Sequence, residues 1–165
     1  MTTAIYPGSF DPITLGHLNI IRRAAKIFDK EVVCVMKNRA KTPMFTIEER
    51  VDMVRRSTER YGNVEVVTTD LLLAEYAKRY ENPVIVKGLR AVSDFDYEFQ
   101  IALVNKKMNP TLETLFLTSS EKYTFLSSTV VKEMAAYGAD LSELVPREII
   151  QDIVEKTKIR RQTEK

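Results

Sequence analysis

The feature of this sequence that most constrains its fold is a regular alternation of short β-branched runs with longer segments of helical period. The β-branched runs lie at 2–6, 31–36, 63–67, 83–87 and 113–117, and their length and composition are typical of buried strands. Helical spacing follows each run, at 18–28, from Ile47 onward, and at 71–80, 95–108 and 130–137. This alternation predicts an α/β fold with a five-stranded parallel sheet, right-handed crossovers and helices on both faces.

Several helix ends in this Rossmann-like, doubly wound arrangement are marked by capping residues. Thr46 with Glu49 three residues later, and Ser93 with Asp96, have the spacing of a capping box or a close relative of one. Gly138 is placed to end the helix before it. Pro146 suits the first turn of a final helix.

Length and charge indicate one domain without a strongly charged surface. The chain has 165 residues, 44% of them hydrophobic, enough for one sizeable core. We expect a single domain over 1–157 and a charged C-terminal tail over 158–165. The net charge of +2 argues against a general nucleic-acid-binding protein, and no apolar run approaches the roughly 20 residues that cross a bilayer. We therefore expect neither nucleic acid nor membrane as a partner.

The chain has one cysteine, Cys34, and one histidine, His17. One cysteine cannot form an internal disulfide, and the two residues together cannot supply a Cys/His zinc site. This usage favours a reducing, cytoplasmic location. Cys34 lies inside an apolar strand and is expected to be an inert buried residue.

Four of the five loops that follow strands carry unusual residues, and all four lie at the same edge of the predicted sheet. Ligands of such folds bind at this edge, beyond the carboxyl ends of the strands. The loops would bring six cations toward one cleft: Lys37, Arg39, Lys41, Lys87, Arg90 and Lys122. A positive cleft that also receives helix N-termini predicts a polyphosphate ligand.

The first of these loops, "YPGSFDPITLGH", indicates how the phosphate is used. The chain contains neither the P-loop pattern G-x-x-x-x-G-K-[ST] nor the dinucleotide pattern G-x-G-x-x-G. Gly8 and Gly16 instead frame a loop that a ligand can approach closely, and His17 follows at the start of a helix. A histidine there can donate to a phosphoryl oxygen during transfer, which needs positioning and charge stabilisation rather than a protein nucleophile. The loop therefore predicts nucleotidyl transfer.

Ordered motifs connect the chain to a known family. "TLGH" (14–17) resembles the T-x-G-H signature of the nucleotidyltransferase superfamily, and "SSTVVK" (127–132) resembles its I-S-S-T-x-x-R/K signature. "PGSFDPITLGH" (7–17), "KTPMFTIEER" (41–50) and "GLRAVSDFDYE" (88–98) with Asn105 resemble bacterial phosphopantetheine adenylyltransferases, so the resemblance runs over about 4–145.

The resemblance implies adenylyl transfer from ATP to 4′-phosphopantetheine, giving dephospho-coenzyme A and pyrophosphate with Mg²⁺. It also implies a cytoplasmic homohexamer, with coenzyme A as a feedback ligand. The acceptor phosphate would attack the ATP α-phosphorus in line without a general base, because its second pKa of about 6 leaves it largely ionised. No carboxylate cluster that could hold the metal alone is evident, so ATP and water would supply most of its ligands.

The resemblance also assigns roles to individual residues. Catalysis is carried over to His17, Lys41 and Arg90, with His17 stabilising the transition state. The residues carried over as ATP-binding are Ser9, Phe10, His17, Gly88, Leu89, Arg90, Glu98, Tyr123, Thr124, Phe125, Leu126, Ser127, Ser128 and Thr129. Those carried over as binding the acceptor are Ser9, Lys41, Leu72, Leu73, Lys87 and Asn105; no residue is carried over as a metal ligand.

Two positions depart from the family pattern. Lys87 stands where many members have arginine, so a bidentate grip on the acceptor phosphate becomes a contact from a point charge. Leu126 replaces the usual isoleucine, which is a mild apolar exchange.

Other interpretations of the same residues stay open. His17 can cap a helix, Ser127, Ser128 and Thr129 have hydroxyls suited to helix starts, and Leu72 and Leu73 can be core residues. Asp11 and Asp94 can order loops as well as touch Mg²⁺. The alternative functions are adenylyl transfer to nicotinate mononucleotide, cytidylyl transfer, and a non-catalytic nucleotide-sensing or coenzyme A-binding module; the terminal "KTKIRR" makes nucleic-acid binding the weakest alternative.

Overall fold

Five parallel strands form the sheet at the centre of the molecule. The structure is a computed structural model that describes residues 1–38 and 42–163. Its strands are β1 (Thr3–Gly8), β2 (Lys30–Val35), β3 (Val64–Thr68), β4 (Pro83–Leu89) and β5 (Glu113–Thr118). Its helices are α1 (Leu15–Ile27), α2 (Ile47–Thr58), α3 (Leu73–Ala77), α4 (Val92–Met108), α5 (Ser128–Ala136) and α6 (Ile150–Thr163), with 3-10 turns at Glu121–Tyr123 and Arg147–Ile149.

The strand order is β3-β2-β1-β4-β5, and every pair is parallel. Strand β1 is central: Ile5 is aligned with Val32 of β2 on one side and with Ile85 of β4 on the other. The chain winds outward from β1 through β2 to β3 and then returns to the other side of β1 as β4. In such sheets the crevice between the two diverging halves is the preferred ligand position. The predicted doubly wound α/β sheet with helices on both faces is confirmed.

Each face of the sheet has its own core. On one face, α1, α2, α5 and α6 contribute Ile21, Val54, Val131 and Ile153 to a cluster that also contains strand residues. On the other face, α3 packs Ala74, Tyr76 and Ala77 against Ile5, Val32 and Ile85. Burying both faces is what the continuous β-branched runs predict for a parallel sheet. Cys34 is fully buried on the second face, as expected.

Some of the predicted helix ends agree with the structure and others do not. The Thr46 box is confirmed, because Thr46 N donates to Glu49 Oε2 at 2.8 Å and Glu49 N donates to Thr46 Oγ1 at 3.2 Å. Gly138 follows the C-cap of α5 with φ +72°, as predicted. The Ser93 box is wrong: α4 begins at Val92, and its N-cap, Ala91, forms no side-chain cap hydrogen bond. The predicted helix at 71–80 is also shorter, because α3 spans only Leu73–Ala77.

The C-terminal part of the chain is a helix docked on the first face. After a 3-10 turn at Arg147–Ile149, α6 continues to Thr163, so the described part of the predicted tail prolongs this helix. Ile149 and Ile153 are fully buried, and Arg56 Nη2 donates to Asp152 Oδ1 at 2.8 Å. The division into 1–157 and 158–165 stays a prediction. None of the described helices has the length and apolar character needed to cross a membrane.

Candidate active site

A cavity of about 610 Å³ opens at the carboxyl edge of the sheet, where the loops after β1, β2, β4 and β5 meet. This is the edge that the sequence predicted. Eleven of the predicted site residues line the cavity: Ser9, Phe10, His17, Lys87, Gly88, Arg90, Glu98, Leu126, Ser127, Ser128 and Thr129. Four of the five strands therefore contribute to one cavity through the loops at their ends.

Not every predicted residue reaches this cavity. Leu89, Tyr123, Thr124 and Phe125 are not among the residues that line it. Phe125 is 63% exposed, so any contact of this segment with a nucleotide would be made at the rim. The expected convergence of six cations is only partly right: Lys37 and Lys122 pair with surface carboxylates, Asp70 at 2.8 Å and Glu143 at 3.3 Å. Arg39 and Lys41 lie outside the described residues.

The glycine-containing loop after β1 is shaped by Phe10. This residue has a positive φ of 47°, and its ring folds back so closely that a Cβ on Gly8 would lie 2.9 Å from Phe10 Cζ. The ring is 1% exposed and packs edge-on against Tyr6 and His17, with centroid distances of 5.4 and 5.1 Å. The Phe10 side chain therefore packs against the His17 ring and is almost wholly withdrawn from solvent.

His17 is fixed by hydrogen bonds within the first turn of α1. This helix begins at Leu15, three residues earlier than predicted, with Thr14 as its N-cap. Thr14 N donates to His17 Nδ1 at 3.0 Å, and His17 N donates to Thr14 Oγ1 at 3.2 Å. Because Nδ1 accepts, the neutral ring carries its proton on Nε2. The capping and the site interpretation of His17 are thus compatible, since the capping bonds use one ring nitrogen and leave the other as a donor.

The His17 ring is neutral over the ordinary pH range. Burial, together with the positive charges of Arg90 and Lys87, lowers the pKa of His17 to about 4. Both cations come from the end of β4, so the histidine and two of the predicted phosphate-binding residues share one electrostatic environment. A neutral Nε2–H next to two cations is suited to an anionic ligand.

The β4 cations are held by carboxylates of α4. Lys87 Nζ lies 3.1 Å from Glu98 Oε2, and both side chains are mostly buried. Arg90 Nε lies 3.5 Å from Asp94 Oδ2, while its Nη1 donates to the Leu126 carbonyl at 2.6 Å. Arg90 therefore connects β4 to the loop that leads into α5. Gly88 between them is required by packing, because a Cβ there would lie 2.9 Å from Ile20 Cγ1.

The start of α5 closes another side of the cavity. Ser127 is its N-cap and accepts a hydrogen bond from Val130 N at 3.2 Å, as the capping interpretation predicted. Ser128 Oγ donates to the Pro12 carbonyl at 2.8 Å. Ser128 and Thr129 thus lie inside the first helical turn, where main-chain N–H groups and the helix dipole favour a negative ligand.

Two cavity residues that carry no predicted site role are central to its architecture. Asp11 Oδ1 accepts from Phe45 N at 2.9 Å, and Asp11 Oδ2 accepts from Met44 N at 2.9 Å and pairs with Lys132 Nζ at 3.0 Å. The loop-ordering interpretation of Asp11 is therefore the one that the structure supports. Lys132 lines the cavity, and its one signal in the sequence is its place as the last residue of "SSTVVK" (127–132).

Arg50 also lines the cavity, although the sequence patterns assign it no role in the site. It is 3% exposed, and its Nη1 donates to the carbonyls of Ser9 at 2.8 Å and Met36 at 3.2 Å. Burial lowers the pKa of Arg50. The residue joins the ends of β1 and β2 beneath the cavity, and its one signal in the sequence is its place at the end of "KTPMFTIEER" (41–50).

A second, much smaller cavity of about 20 Å³ adjoins the first, sharing Pro7, Lys87 and Glu98 with it. Leu73 and Asn105 line this second cavity, together with Ile101 and Ala102 of α4. Two of the residues predicted to bind the acceptor therefore lie next to Lys87. Leu72 does not line either cavity and is 64% exposed.

The carboxylates around the main cavity do not form a protein metal site. Asp11 is paired with Lys132, Asp94 with Arg90 and Glu98 with Lys87. No group of three or more potential metal ligands occurs in the described parts of the chain. A divalent ion in this cavity would have to arrive with its own oxygen ligands, as it does when bound to a nucleotide polyphosphate.

Comparison with known proteins assigns the chain to a family. The cytidylyltransferase-like family model matches residues 5–134. A phosphopantetheine adenylyltransferase of Caldanaerobacter subterraneus subsp. tengcongensis is 54% identical over 158 residues, covering 96% of this chain and 99% of the relative. Another of that name, from Clostridium botulinum strain Hall, is 51% identical over 156 residues, covering 94% and 95%.

A solved structure supports the fold independently. A putative nicotinate-nucleotide adenylyltransferase from Vibrio parahaemolyticus superimposes with a TM-score of 0.68 and covers 94% of this chain and 96% of its own. Its sequence identity of 18% makes this a likeness of fold alone. The family match and the near-full-length relatives together establish that the chain belongs to the phosphopantetheine adenylyltransferase family of cytidylyltransferase-like nucleotidyltransferases.

Proposed function

We propose that the protein is an adenylyltransferase that converts ATP and 4′-phosphopantetheine into dephospho-coenzyme A and pyrophosphate, a step of coenzyme A biosynthesis. The observation that carries the proposal is the meeting of the capped, neutral His17 with Lys87 and Arg90 in one cavity. The near-full-length identity to relatives of that name supports the choice of acceptor.

The proposed reaction is a single in-line displacement. An oxygen of the acceptor phosphate forms a bond to the α-phosphorus of ATP as the bond from that phosphorus to the bridging oxygen breaks, and pyrophosphate leaves with the electron pair. Because the acceptor phosphate has a second pKa of about 6, it is ionised near neutral pH and needs no general base. The protein contributes positioning and charge stabilisation.

The residues of the cavity divide this work. The Nε2–H of His17 donates to an α-phosphoryl oxygen as negative charge develops there. Arg90, with the α5 start at Ser127, Ser128 and Thr129, holds the ATP phosphates, while Ser9 and Lys87 hold the acceptor phosphate. Lys41, which lies outside the described residues, stays a prediction for the reacting phosphates.

The two ends of the substrates extend from this centre. Gly88, Leu89, Glu98 and the segment 123–126 receive the rest of the nucleotide. Leu73 and Asn105, in the small cavity beside Lys87, receive the pantetheine arm, with Leu72 at its outer edge. We propose that ATP enters as its Mg²⁺ complex, because each cavity carboxylate is already paired with a cation of the protein.

We also propose a cytoplasmic homo-oligomer, a hexamer by family resemblance, with coenzyme A as a feedback ligand. The apolar surface of α4 supports self-association: Phe99, Leu103 and Val104 are each 45–57% exposed, and Leu115 of the adjoining edge strand is 47% exposed. Exposed patches of this kind mark interaction surfaces. Sedimentation of the purified protein measures its state.

The decisive experiment is pyrophosphate release by the purified protein with ATP and Mg²⁺. The acceptors compared are 4′-phosphopantetheine, pantetheine without its phosphate, and nicotinate mononucleotide. We expect release only with 4′-phosphopantetheine and its loss in His17→Ala. Release only with the mononucleotide would retain the mechanism and overturn the acceptor, and no release with any acceptor would favour a nucleotide-sensing module.

A further inference from the structure

The segment that leads into α2 is tethered on its cavity side. Asp11 accepts hydrogen bonds from Met44 N and Phe45 N, and the same carboxylate pairs with Lys132 in the cavity wall. Arg50, one turn into α2, donates to the Ser9 carbonyl at 2.8 Å. The geometry of residues 42–46 is therefore coupled to the loop after β1 and to α5.

The same segment is also tethered on its outer side, by the C-terminal helix. Lys156 Nζ of α6 lies 2.8 Å from Glu49 Oε1 and 2.9 Å from Glu49 Oε2. Its ammonium group is 5.6 Å from the centroid of the Phe45 ring, within the range of a cation–π contact. Glu49 in turn accepts from Thr46 N at 2.8 Å. Lys156 therefore contacts Phe45, just before the start of α2, and Glu49, in its first turn.

Burial raises the pKa of Glu49, but the hydrogen bonds from Lys156 and the Thr46 amide outweigh this effect and leave the pKa below its ordinary value. The Glu49 carboxylate is therefore ionised near neutral pH, and Lys156 meets a charged partner. The cap of α2 and the C-terminal helix share one carboxylate.

Residues other than Lys156 also dock α6 on the first face. Ile149 and Ile153 are fully buried in the main core, and Arg56 donates two hydrogen bonds to the Asp152 carboxylate. These contacts hold α6 in place beside the contacts that Lys156 makes with Glu49 and Phe45. Lys156 also lies beyond 5–134, the part of the chain that matches the family model.

We propose that Lys156 is a positioning residue for the active site: by holding Glu49 and Phe45 from outside, it fixes the Met44 and Phe45 amides that Asp11 grips from the cavity. The proposal rests on the proposed adenylyl transfer, because its functional effect is read in that reaction. Lys156 does not line the main cavity, and it acts through Phe45 and Glu49.

The test compares Lys156→Met, which retains a long apolar side chain over Phe45 but removes the charge, with Lys158→Met as a matched control. Lys158 is an exposed lysine two residues along the same helix. Lys156→Arg, which restores a cation able to grip a carboxylate, is the rescue variant. Each protein is assayed as the full chain for kcat, for the ATP Kd by calorimetry and for amide hydrogen exchange.

In Lys156→Met we expect exchange of the Phe45 and Thr46 amides to accelerate by about threefold to tenfold, and kcat to fall by a similar factor. These modest factors follow from a partly exposed ion pair acting on positioning. Exchange within β2, the ATP Kd and the Tm should stay close to wild type. Lys156→Arg should restore both readouts, and Lys158→Met should change neither.

Unchanged exchange at Phe45 and Thr46 would overturn the tether, and faster exchange with unchanged kcat would overturn its role in the reaction. A general loss of protection across β2 would assign Lys156 to overall stability and also overturn the proposal. If wild type itself releases no pyrophosphate, the proposed function fails first, and the exchange measurement still judges the tether on its own.

Discussion

Thr14 and His17 form a reciprocal pair at the start of α1: the amide of each donates to the side chain of the other, at 3.0 Å to His17 Nδ1 and at 3.2 Å to Thr14 Oγ1. The pair caps the helix and fixes the ring tautomer in one arrangement. Because Nδ1 is occupied as an acceptor, only Nε2–H is left to serve a ligand. Local folding of the "TLGH" motif thus prepares a neutral hydrogen-bond donor in the cavity.

Replacing the histidine should affect the chemical step more than binding. In His17→Ala we expect kcat to fall by several orders of magnitude while the ATP Kd changes little, because the donor acts on charge that develops in the transition state. Single-turnover kinetics and calorimetry measure the two quantities. Equal losses of ATP affinity and of kcat/KM, with kcat unchanged, would contradict this role.

The pH dependence should not follow His17. Since its pKa is about 4, the ring stays neutral from pH 5 to 8, and the acidic limb of activity should follow the acceptor phosphate with its pKa of about 6. The chain has one histidine, so its imidazole NMR signal can be titrated without ambiguity. A midpoint for that signal near 6.5 would refute the neutral donor.

The same pKa has a consequence for stability. The folded value lies below the ordinary value of 6.5, so the unfolded chain binds the proton more readily between these two pH values. This contribution to the free energy of unfolding is complete above about pH 6.5 and is lost as the pH falls toward 4. Urea unfolding of wild type and His17→Gln measures this contribution. The free energy of unfolding of wild type should fall relative to that of His17→Gln as the pH falls from 6.5 toward 4.

Arg90 should be needed for nucleotide affinity. It lines the cavity and also donates to the Leu126 carbonyl, so its removal takes away both a phosphate contact and a support of the loop before α5. We expect Arg90→Ala to weaken ATP binding by roughly 10- to 100-fold, the range for a hydrogen bond to a charged group. Calorimetry measures the affinity.

Arg22→Ala is the matched control for that experiment, because Arg22 is an exposed arginine of α1 that does not line the cavity. Its ATP affinity should equal that of wild type. Unchanged affinity in Arg90→Ala would remove Arg90 from the nucleotide site.

The sequence could predict what depends on local pattern. Strands, their order of appearance and the loops that carry His17, Lys87 and Arg90 follow from β-branched runs, helical period and the edge rule for parallel sheets. Loop position also predicts that Lys37 and Lys122 point toward the cleft, but they pair with Asp70 and Glu143 instead. Where a long side chain finds a nearby carboxylate, loop membership alone does not decide its direction.

Sequence patterns do not predict the roles of residues that bind backbone atoms far away in the chain. Asp11 grips amides 33 and 34 residues away, and Arg50 reaches a carbonyl 41 residues away. No spacing rule connects such positions, because these contacts exist only once β1, β2 and α2 are assembled. The α4 start predicted from the Ser-x-x-Asp spacing is wrong because the helix already begins at Val92, with Ala91 as its N-cap.

Glu31 is a buried acid outside the cavity whose charge should control stability at alkaline pH. It is fully buried in β2, and neither carboxyl oxygen has a hydrogen-bond partner in the described structure. Burial raises the pKa of Glu31 to about 8. A protonated, neutral carboxyl is thus the form that the folded protein accommodates near pH 7.

The sign of the effect follows from linkage. Because the folded pKa lies above the unfolded value of 4.5, the stabilising contribution is complete below about pH 4.5 and is lost as the pH rises toward 8. Glu31→Gln cannot ionise, so its free energy of unfolding should gain on that of wild type by roughly 4 kcal/mol between pH 5 and 9. Urea unfolding at both pH values measures the difference. Glu65→Gln, on the neighbouring strand with a half-exposed side chain, is the control and should track wild type; a Glu31→Gln difference that stays constant with pH would mean that the buried carboxyl does not titrate in this range.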